Sequence, residues 1–491
     1  MQNLFRPPSK MLSNDLATVM TAVLAASPLS AAHAKELPFA VRDLSRLLTQ
    51  DRSQMSSSYW VNKRLLTAYC RYFLPWNLLR LSWLLPGLNL PMPEDGVILD
   101  LGSGPLTMPL ALWTAKPAWR TMPLTVVCSD VAPAPMTLGR EIFRRLDPDS
   151  PWKIELARGP VEKVLREFSR SASLITAANV FNEIKPSRET PLQQRFESLM
   201  QRSAAKLAQD GRILSIEPGT RLGGKITALI RQAGFSARLV PETPCPHWGA
   251  CPMLAERATG WCHFSHIADG APRELADLTR RAGLGKDTLS LSCMLLRKAG
   301  EAETERARAH LPNMDDDSLD DDFFDDPEDN LEAECSVWAE AFAASGLHHP
   351  ENPAQNIVRI LSDPIRLPDQ EAPARYGCSR QGLVLIRDAL RVPSGAAASV
   401  TWPARTERDA KSGALIVDLV APPEKAPFPV SPATPKRQRT SAAPQESHQT
   451  KPRKAPSSRR QDARNTFPKD APSPKGPRNR TPGRRGKPHE Q

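Results

Sequence analysis

The sequence predicts an α/β protein built on a doubly wound, Rossmann-like sheet, and three observations predict it. Val97-Ile98-Leu99 is a short apolar run that ends at Asp100 and leads into a Gly-rich turn, Gly102-Ser103-Gly104-Pro105, with a helical pattern from Leu106. Leu124-Thr125-Val126-Val127-Cys128 is a second such run, closing on Ser129-Asp130 ahead of a helical stretch over 137–146. Further apolar runs follow at 173–178, 213–216, 236–240 and 289–296, and helical segments at 160–170, 189–209 and 222–233 separate the earlier ones. Strands alternating with helices need crossover connections, which give a parallel sheet with helices on both faces.

The other regions are placed around this unit, which is expected over 93–300. Residues 1–92 read as an N-terminal helical region. Its apolar, aromatic face is made by Tyr59, Trp60, Leu65, Leu66, Tyr69, Tyr72, Phe73 and Leu74, and Pro75 and Pro86 punctuate it. Residues 301–334 form an acidic linker: twelve Asp or Glu lie between Asp315 and Glu334, too charged to pack. Residues 335–420 are expected to form a small C-terminal β module, with a helical stretch at 335–345 and β-like runs at Ile357–Leu361, Leu383–Ile386 and Ala414–Leu419. From 421 to 491 the Pro/Lys/Arg/Ser composition cannot bury a core and predicts a basic, disordered tail.

Composition narrows the class. The chain has 491 residues, 40% hydrophobic and 24% charged, as in ordinary globular proteins, but 49 prolines and a net charge of +11 are unusual. The tail alone holds 17 Lys and Arg against 5 Asp and Glu, which leaves 48 against 49 in residues 1–420. The basicity therefore belongs to the tail, and a basic globular surface is not implied. Eight cysteines in this length exclude a disulfide-stapled mini-scaffold. No run of about 18 apolar residues predicts a membrane span. Arg6, Lys10, the apolar stretch Leu16–Leu29 and Ala32-His33-Ala34 imitate a secretory signal, but Asp15 precedes that stretch and Pro28 interrupts it. The expectation is a cytoplasmic protein with an N-terminal amphipathic helix.

The Gly-rich turn is the first candidate site. Glycines let a ligand approach the backbone, and the following helix N-terminus offers N–H donors. Asp130 ends the second strand, where doubly wound folds place an acid on ribose hydroxyls. The pattern Asp-x-Gly-x-Gly-Pro resembles motif I of S-adenosylmethionine-dependent methyltransferases, with Leu106-Thr107 where a dinucleotide motif has its third glycine. The cofactor-binding candidates are thus Asp100, Gly102, Ser103, Gly104 and Asp130. After the fourth strand comes Asn179-Val180-Phe181-Asn182-Glu183, without the Pro-Pro-aromatic sequence common in amino-methylating enzymes. No general base is evident, so the catalytic residues are unassigned.

The second candidate is the cysteine group Cys245-x5-Cys251-x10-Cys262, with His247, His263 and His266 beside it. Three thiols this close indicate a metal or cluster site. An iron–sulfur cluster generally wants four cysteines, and Cys293, Cys335 and Cys378 are candidates for the fourth. Cys293 lies within an apolar run, Cys335 borders the acidic linker, and Cys378 sits in a loop before a β-run. A Cys₃His zinc site is the physical alternative.

At these residues the chain resembles a family: the methyltransferase-like proteins associated with the small ribosomal subunit, which are assembly factors in mitochondria and have bacterial homologues. The matching stretches are Leu37–Leu79, Leu99–Pro105, Ile216-Glu217-Pro218-Gly219-Thr220, the Cys-Pro-His and Trp-Cys-His-Phe segments, and Leu296-Arg297-Lys298, within about 37–395. The resemblance implies the S-adenosylmethionine methyltransferase fold and a [4Fe–4S] cluster on Cys245, Cys251, Cys262 and Cys378. It further implies binding to small-subunit ribosomal RNA in assembly or translation. A catalytic RNA methyltransferase and a zinc-stabilised RNA-binding protein with a vestigial pocket are the rival expectations. Lys436, Arg437, Arg439, Lys451, Arg453, Lys454, Arg459, Arg460, Arg484 and Arg485 suit non-specific contact with phosphate backbones.

Overall fold

The computed structural model describes residues 3–49, 60–184, 190–255, 260–300, 303, 356–367, 373–389 and 392–420. The acidic linker apart from Glu303, the helix expected at 335–345, Cys335 and the basic tail fall outside the described residues.

The N-terminal region opens with α1 (Lys10–Ala26), which Ser9 caps by accepting the Leu12 N–H at 3.2 Å. It continues through α2 (Ala31–Thr49), α3 (Lys63–Ala68), a π-helical turn at Tyr69–Phe73 and α4 (Leu74–Leu84). Apolar residues recur on one side of α1, so that Leu12, Leu16, Val19 and Val23 are buried in the main core. Arg120 pairs with Asp15 at 2.5 Å and lies 3.9 Å over the Trp113 ring, tying α1 to the α/β unit. No single described helix is long and apolar enough to cross a membrane; α1 and α2 pass that test only as a pair bent by 117°.

The α/β unit then runs β1 (Val97–Leu101), α5 (Thr107–Ala115), β2 (Thr125–Asp130), α6 (Pro133–Leu146), β3 (Lys153–Arg158), α7 (Val161–Glu167), β4 (Ala172–Ala178), α8 (Leu192–Lys206), β5 (Leu207–Pro218), α9 (Arg221–Ser236), β6 (Leu239–Thr243), β7 (Phe264–Ile267), α10 (Arg273–Ala282) and β8 (Thr288–Lys298). The strand order is β3-β2-β1-β4-β5-β8-β6, with β7 also on β8. Period-2 alternation sends Ile98 to one face and Leu99 and Leu101 to the other, each into its own hydrophobic cluster. This is the doubly wound Rossmann-like sheet expected. It differs in direction at one side: β8 runs antiparallel to β5, β6 and β7, so the sheet is mixed rather than parallel.

The chain turns one way from β1 to β2 and β3 and the other way from β4 to β5. That reversal opens a crevice at the strand carboxyl ends, where such folds bind ligands. The glycine turn lies there.

The C-terminal module is a closed barrel of β9 (Ile357–Ile360), β10 (Arg375–Ser379), β11 (Gly382–Ile386), β12 (Ala397–Thr401) and β13 (Leu415–Leu419), in the order β10-β11-β13-β12-β9. Val358, Ile360, Val384, Ile386, Val400 and Val417 fill it. Closure leaves no free edge in a module this small. Cys378 lies within β10, paired with Leu383 and Arg359, rather than in the loop that Gly377 and Ser379 suggested.

Polar contacts fasten the barrel to the α/β unit. Ser265 Oγ donates to Asp363 at 2.5 Å, the Ser265 N–H to Ser394 Oγ at 3.2 Å, and the Ser362 N–H to the His263 carbonyl at 3.3 Å. The N-terminal segment adds a strap: Arg6 N–H donates to the Trp83 carbonyl at 2.9 Å and Leu4 N–H to that of Gly395 at 3.4 Å.

Candidate functional site

The glycine turn takes three residues into the left-handed region: Gly102 (φ 65°), Gly104 (φ 50°) and Leu106 (φ 60°). At Gly102 a Cβ would overlap the Val180 side chain, because the loop after β4 packs directly on the turn. Gly102→Ala is therefore expected to cost about 2 kcal/mol through backbone strain and overlap, and to loosen this wall of the crevice. A lowered melting temperature by calorimetry checks it. Leu106 accepts the left-handed conformation with its side chain fully buried, so packing offsets a backbone cost of about 1–2 kcal/mol.

The candidate cofactor residues meet at this turn but differ in exposure to the crevice. Ser103 turns inward: its Oγ donates to the Asp100 carbonyl at 3.0 Å and accepts the Ser129 N–H at 3.0 Å. Asp130 accepts the Gly104 N–H at 3.0 Å on one carboxylate oxygen and the Ala132 N–H at 2.9 Å on the other. Burial raises its pKa, and the Ala132, Gly104 and Val131 N–H groups work the other way.

Asp100 is 1% exposed. Thr176 Oγ1 donates to its Oδ1 at 2.5 Å, while Oδ2 has no partner among the described residues. Burial pushes its pKa up to about 7 against the pull of Thr176 and Ser103, with Asp130 adding repulsion. A buried carboxyl of this kind stays charged only where an opposite charge or further hydrogen-bond donors face it.

The N-terminal region roofs the crevice. Trp60 lies over Gly104, and its ring is 4.8 Å from that of Tyr69, which the π turn presents. Beside them Arg80 of α4, 7% exposed, donates from Nη2 to Asn179 Oδ1 at 3.0 Å and from Nη1 to the Ser290 carbonyl at 3.2 Å. Burial lowers its pKa to about 10, and Tyr69 and Glu217 oppose the shift. Glu217 Oε1 accepts the Phe181 N–H at 3.2 Å, fixing the loop after β4. Sequence reasoning missed Arg80. Its signal was a lone charge inside the apolar run Leu78-Leu79-Arg80-Leu81.

The second group assembles between the α/β unit and the barrel. Cys245 and Cys251 lie in the segment after β6, Cys262 just before β7, and Cys378 on β10. Burial raises the thiol pKa values of Cys251, Cys262 and Cys378. Cys262 feels Cys245, Cys251, Cys378 and Cys293, and Cys378 feels Cys251 and Cys245, so the four thiols and Cys293 lie within electrostatic reach of one another. Cys293, on β8, is 1% exposed with its pKa pushed up to about 12 by burial. Among the described residues, no group of three or more His, Cys, Asp or Glu side chains is placed to hold a metal ion.

Of the three nearby histidines, His247 faces the thiols, with Nε2 3.7 Å from Cys378 Sγ. Burial, then Arg231 and Arg380, lower its pKa to about 3. His263 stacks on Trp261 at 4.4 Å, and His266 is held between Phe5 and Trp83 at 5.4 and 4.5 Å. The loop that follows β5 links the two candidate sites. Trp261 Nε1 donates to the Gly219 carbonyl at 3.0 Å, Ser292 Oγ donates to that of Cys262 at 2.6 Å, and Thr220 caps α9.

The strand order and the glycine turn define a methyltransferase-like α/β protein. Residues 91–275 match the family described as "Mitochondrial small ribosomal subunit Rsm22", which bears out the resemblance to the small-ribosomal-subunit family over these residues. No curated protein matches the chain in sequence. Among solved structures, precorrin-6y C5,15-methyltransferase from Geobacter metallireducens is similar at 10% identity and TM-score 0.28, over 45% of this chain and 87% of that one. Geranyl diphosphate C-methyltransferase from Streptomyces coelicolor is similar at 12% identity and TM-score 0.24, over 43% and 75%. At these scores the fold assignment rests on the strand order itself.

Proposed function

We propose that this chain is a methyltransferase-like factor of the small ribosomal subunit that binds S-adenosylmethionine at the glycine turn and carries a [4Fe–4S] cluster. In this reading it contacts ribosomal RNA to support subunit assembly or translation. The observation that carries it is the approach of four half-buried cysteines, three from the α/β unit and one from the barrel, in a chain whose residues 91–275 match the Rsm22 family.

The residues present fit both groups. Asp100 Oδ2 is a buried acceptor suited to the ammonium of the methionine moiety, Gly102 and Gly104 keep the backbone approachable, and Asp130 retains oxygen lone pairs for ribose hydroxyls. S-adenosylmethionine, when bound, supplies an electrophilic methyl group. Cys245, Cys251, Cys262 and Cys378 form an all-thiol donor set of the kind iron–sulfur clusters use. Ligands of one ion converge on a point, whereas thiolates around a cubane core stand apart at its corners. When bound, the cluster would supply a cross-link that adds to the polar contacts already fastening the barrel to the α/β unit.

Arg80 favours binding over methyl transfer. Arg80 donates to Asn179 Oδ1, so an exocyclic amine held by the oxygen's second lone pair would stand against a buried guanidinium. Incubation with labelled S-adenosylmethionine and small-subunit ribosomal RNA tests this: cofactor retention, co-sedimentation with small subunits and no transfer are expected. Methyl transfer that Asp100→Ala abolishes would establish a catalytic RNA methyltransferase instead.

The tail supplies the non-specific part of RNA affinity in this reading. Deleting 421–491 is expected to weaken RNA binding at low salt and to flatten the dependence of log K on log salt, since fewer counterions are released. An unchanged salt slope would remove the tail from the interface.

A further inference from the structure

We propose that Arg231 and Arg359 form a two-sided charge clamp on the four-thiol site, one guanidinium from the α/β unit and one from the barrel, which neutralises the group the thiols hold. The inference deepens the iron–sulfur reading above and rests on it.

Arg231 stands in the middle of α9 with 1% exposure, the largest fully buried side chain in the described structure. A guanidinium is rarely found so deep unless its charge is answered. Its Nη2 donates to the carbonyls of His247 at 3.2 Å and Gly249 at 2.5 Å, so it grips the backbone between Cys245 and Cys251. Nη1 has no partner among the described residues. Burial works against the charge, and Cys245, Cys251 and Cys378 are near enough to favour it once they are thiolates.

Arg359 approaches from β9. Its Nε donates to the carbonyl of Pro244, the residue before Cys245, at 2.8 Å, and its Nη1 to that of Gly395 at 2.8 Å. Burial lowers its pKa, and the thiols of Cys245, Cys293, Cys378 and Cys262 oppose that. The two arginines thus hold the same cysteine loop from opposite domains.

Charge counting gives the pair its meaning. Four thiolates bring four negative charges and an oxidised [4Fe–4S] core two positive, so the loaded site is doubly negative. Two guanidiniums cancel that. An uncompensated buried ion costs several kcal/mol, so the match matters far more here than at a surface. Reduction of the core by one electron would add a charge that the clamp leaves unanswered. Each guanidinium also stabilises that added charge in part, so losing one would make reduction harder.

The test uses the full-length chain, purified anaerobically and loaded with iron and sulfide. It reads iron per chain, midpoint potential and release of iron to a chelator. Arg231→Met and Arg359→Met are expected to keep native circular dichroism, to shift the potential to more negative values, and to release iron roughly 10–100-fold faster. Arg231→Lys keeps the charge but not the fork, so it should restore the potential while still releasing iron faster than wild type. If Arg231→Met does not fold, Arg359→Met and Arg231→Lys make the same comparison. Wild-type potential and release in a loaded Arg→Met variant overturn the clamp and leave the cluster standing. So does a potential in Arg231→Lys shifted as far as in the Met variants. A wild-type chain that takes up no iron and sulfide overturns the cluster reading and the clamp with it.

Discussion

Cys378→Ser is expected to lose the iron–sulfur cluster and to loosen the barrel's attachment to the α/β unit, whereas Cys293→Ser should retain full iron content. The contrast follows from where each thiol stands. Cys378 reaches the site from β10, across the domain boundary, and His247 Nε2 lies 3.7 Å from its sulfur. Cys293 belongs to β8, where it pairs with Ile216 inside the sheet and is 1% exposed, so in this reading it packs beside the group without holding it. A cross-link closing a loop as long as that from Cys262 to Cys378 is worth on the order of 4–5 kcal/mol in chain-entropy terms. Cys378→Ser should therefore lower the melting temperature of the loaded protein by on the order of 10 °C, and the melt should separate into two transitions. Iron analysis and calorimetry on both variants decide it. Equal iron loss in the two would move the fourth ligand to Cys293.

The second large effect concerns Asp100. Asp100→Asn is expected to weaken S-adenosylmethionine binding by about 2–5 kcal/mol, roughly 30-fold or more, because the ligand's cationic group would lose its buried counter-charge. The pH dependence carries the signature. With burial holding the Asp100 pKa at about 7, the empty site is largely protonated below that pH. Affinity in the wild type should rise as pH increases through neutrality, and Asp100→Asn should be flat. Stability of the empty protein runs the opposite way. A carboxyl whose pKa is raised by folding contributes most at low pH, below its unfolded value near 3.8, and that contribution is lost as pH rises through about 7. The melting temperature of the unliganded wild type should fall over that range, and that of Asp100→Asn should fall less. Titration calorimetry and melts at several pH values measure both.

Much of this was legible because it depends on local pattern. The run Val97-Ile98-Leu99-Asp100 and its glycines define a strand and a tight turn by themselves, and the spacing of Cys245, Cys251 and Cys262 needs no fold to be noticed. Elements whose signal is not local were missed. Strand β3 carries Lys153, Glu155 and Arg158 at a half-exposed sheet edge, so it shows no apolar run. Strand β7 is only four residues long and lies directly after Trp261-Cys262-His263, where the cysteine pattern hides it. Gly377 and Ser379 around Cys378 suggest a turn, but tight barrel packing wants a small residue there: a Cβ at 377 would press on Ile386 and Val384. The antiparallel direction of β8 depends on which edge the strand joins, and side-chain periodicity does not record that. Arg80 and Arg231 gain their roles only from what the fold sets against them: the loop after β4 for one, the cysteine loop for the other.

The most direct measurement is the iron, acid-labile sulfide and zinc content of the full-length chain purified without oxygen. Iron and sulfide in equal amounts, about four of each per chain with negligible zinc, are predicted for a [4Fe–4S] site on Cys245, Cys251, Cys262 and Cys378. One zinc per chain with no sulfide would contradict the cluster and put a structural zinc site at the domain boundary in its place.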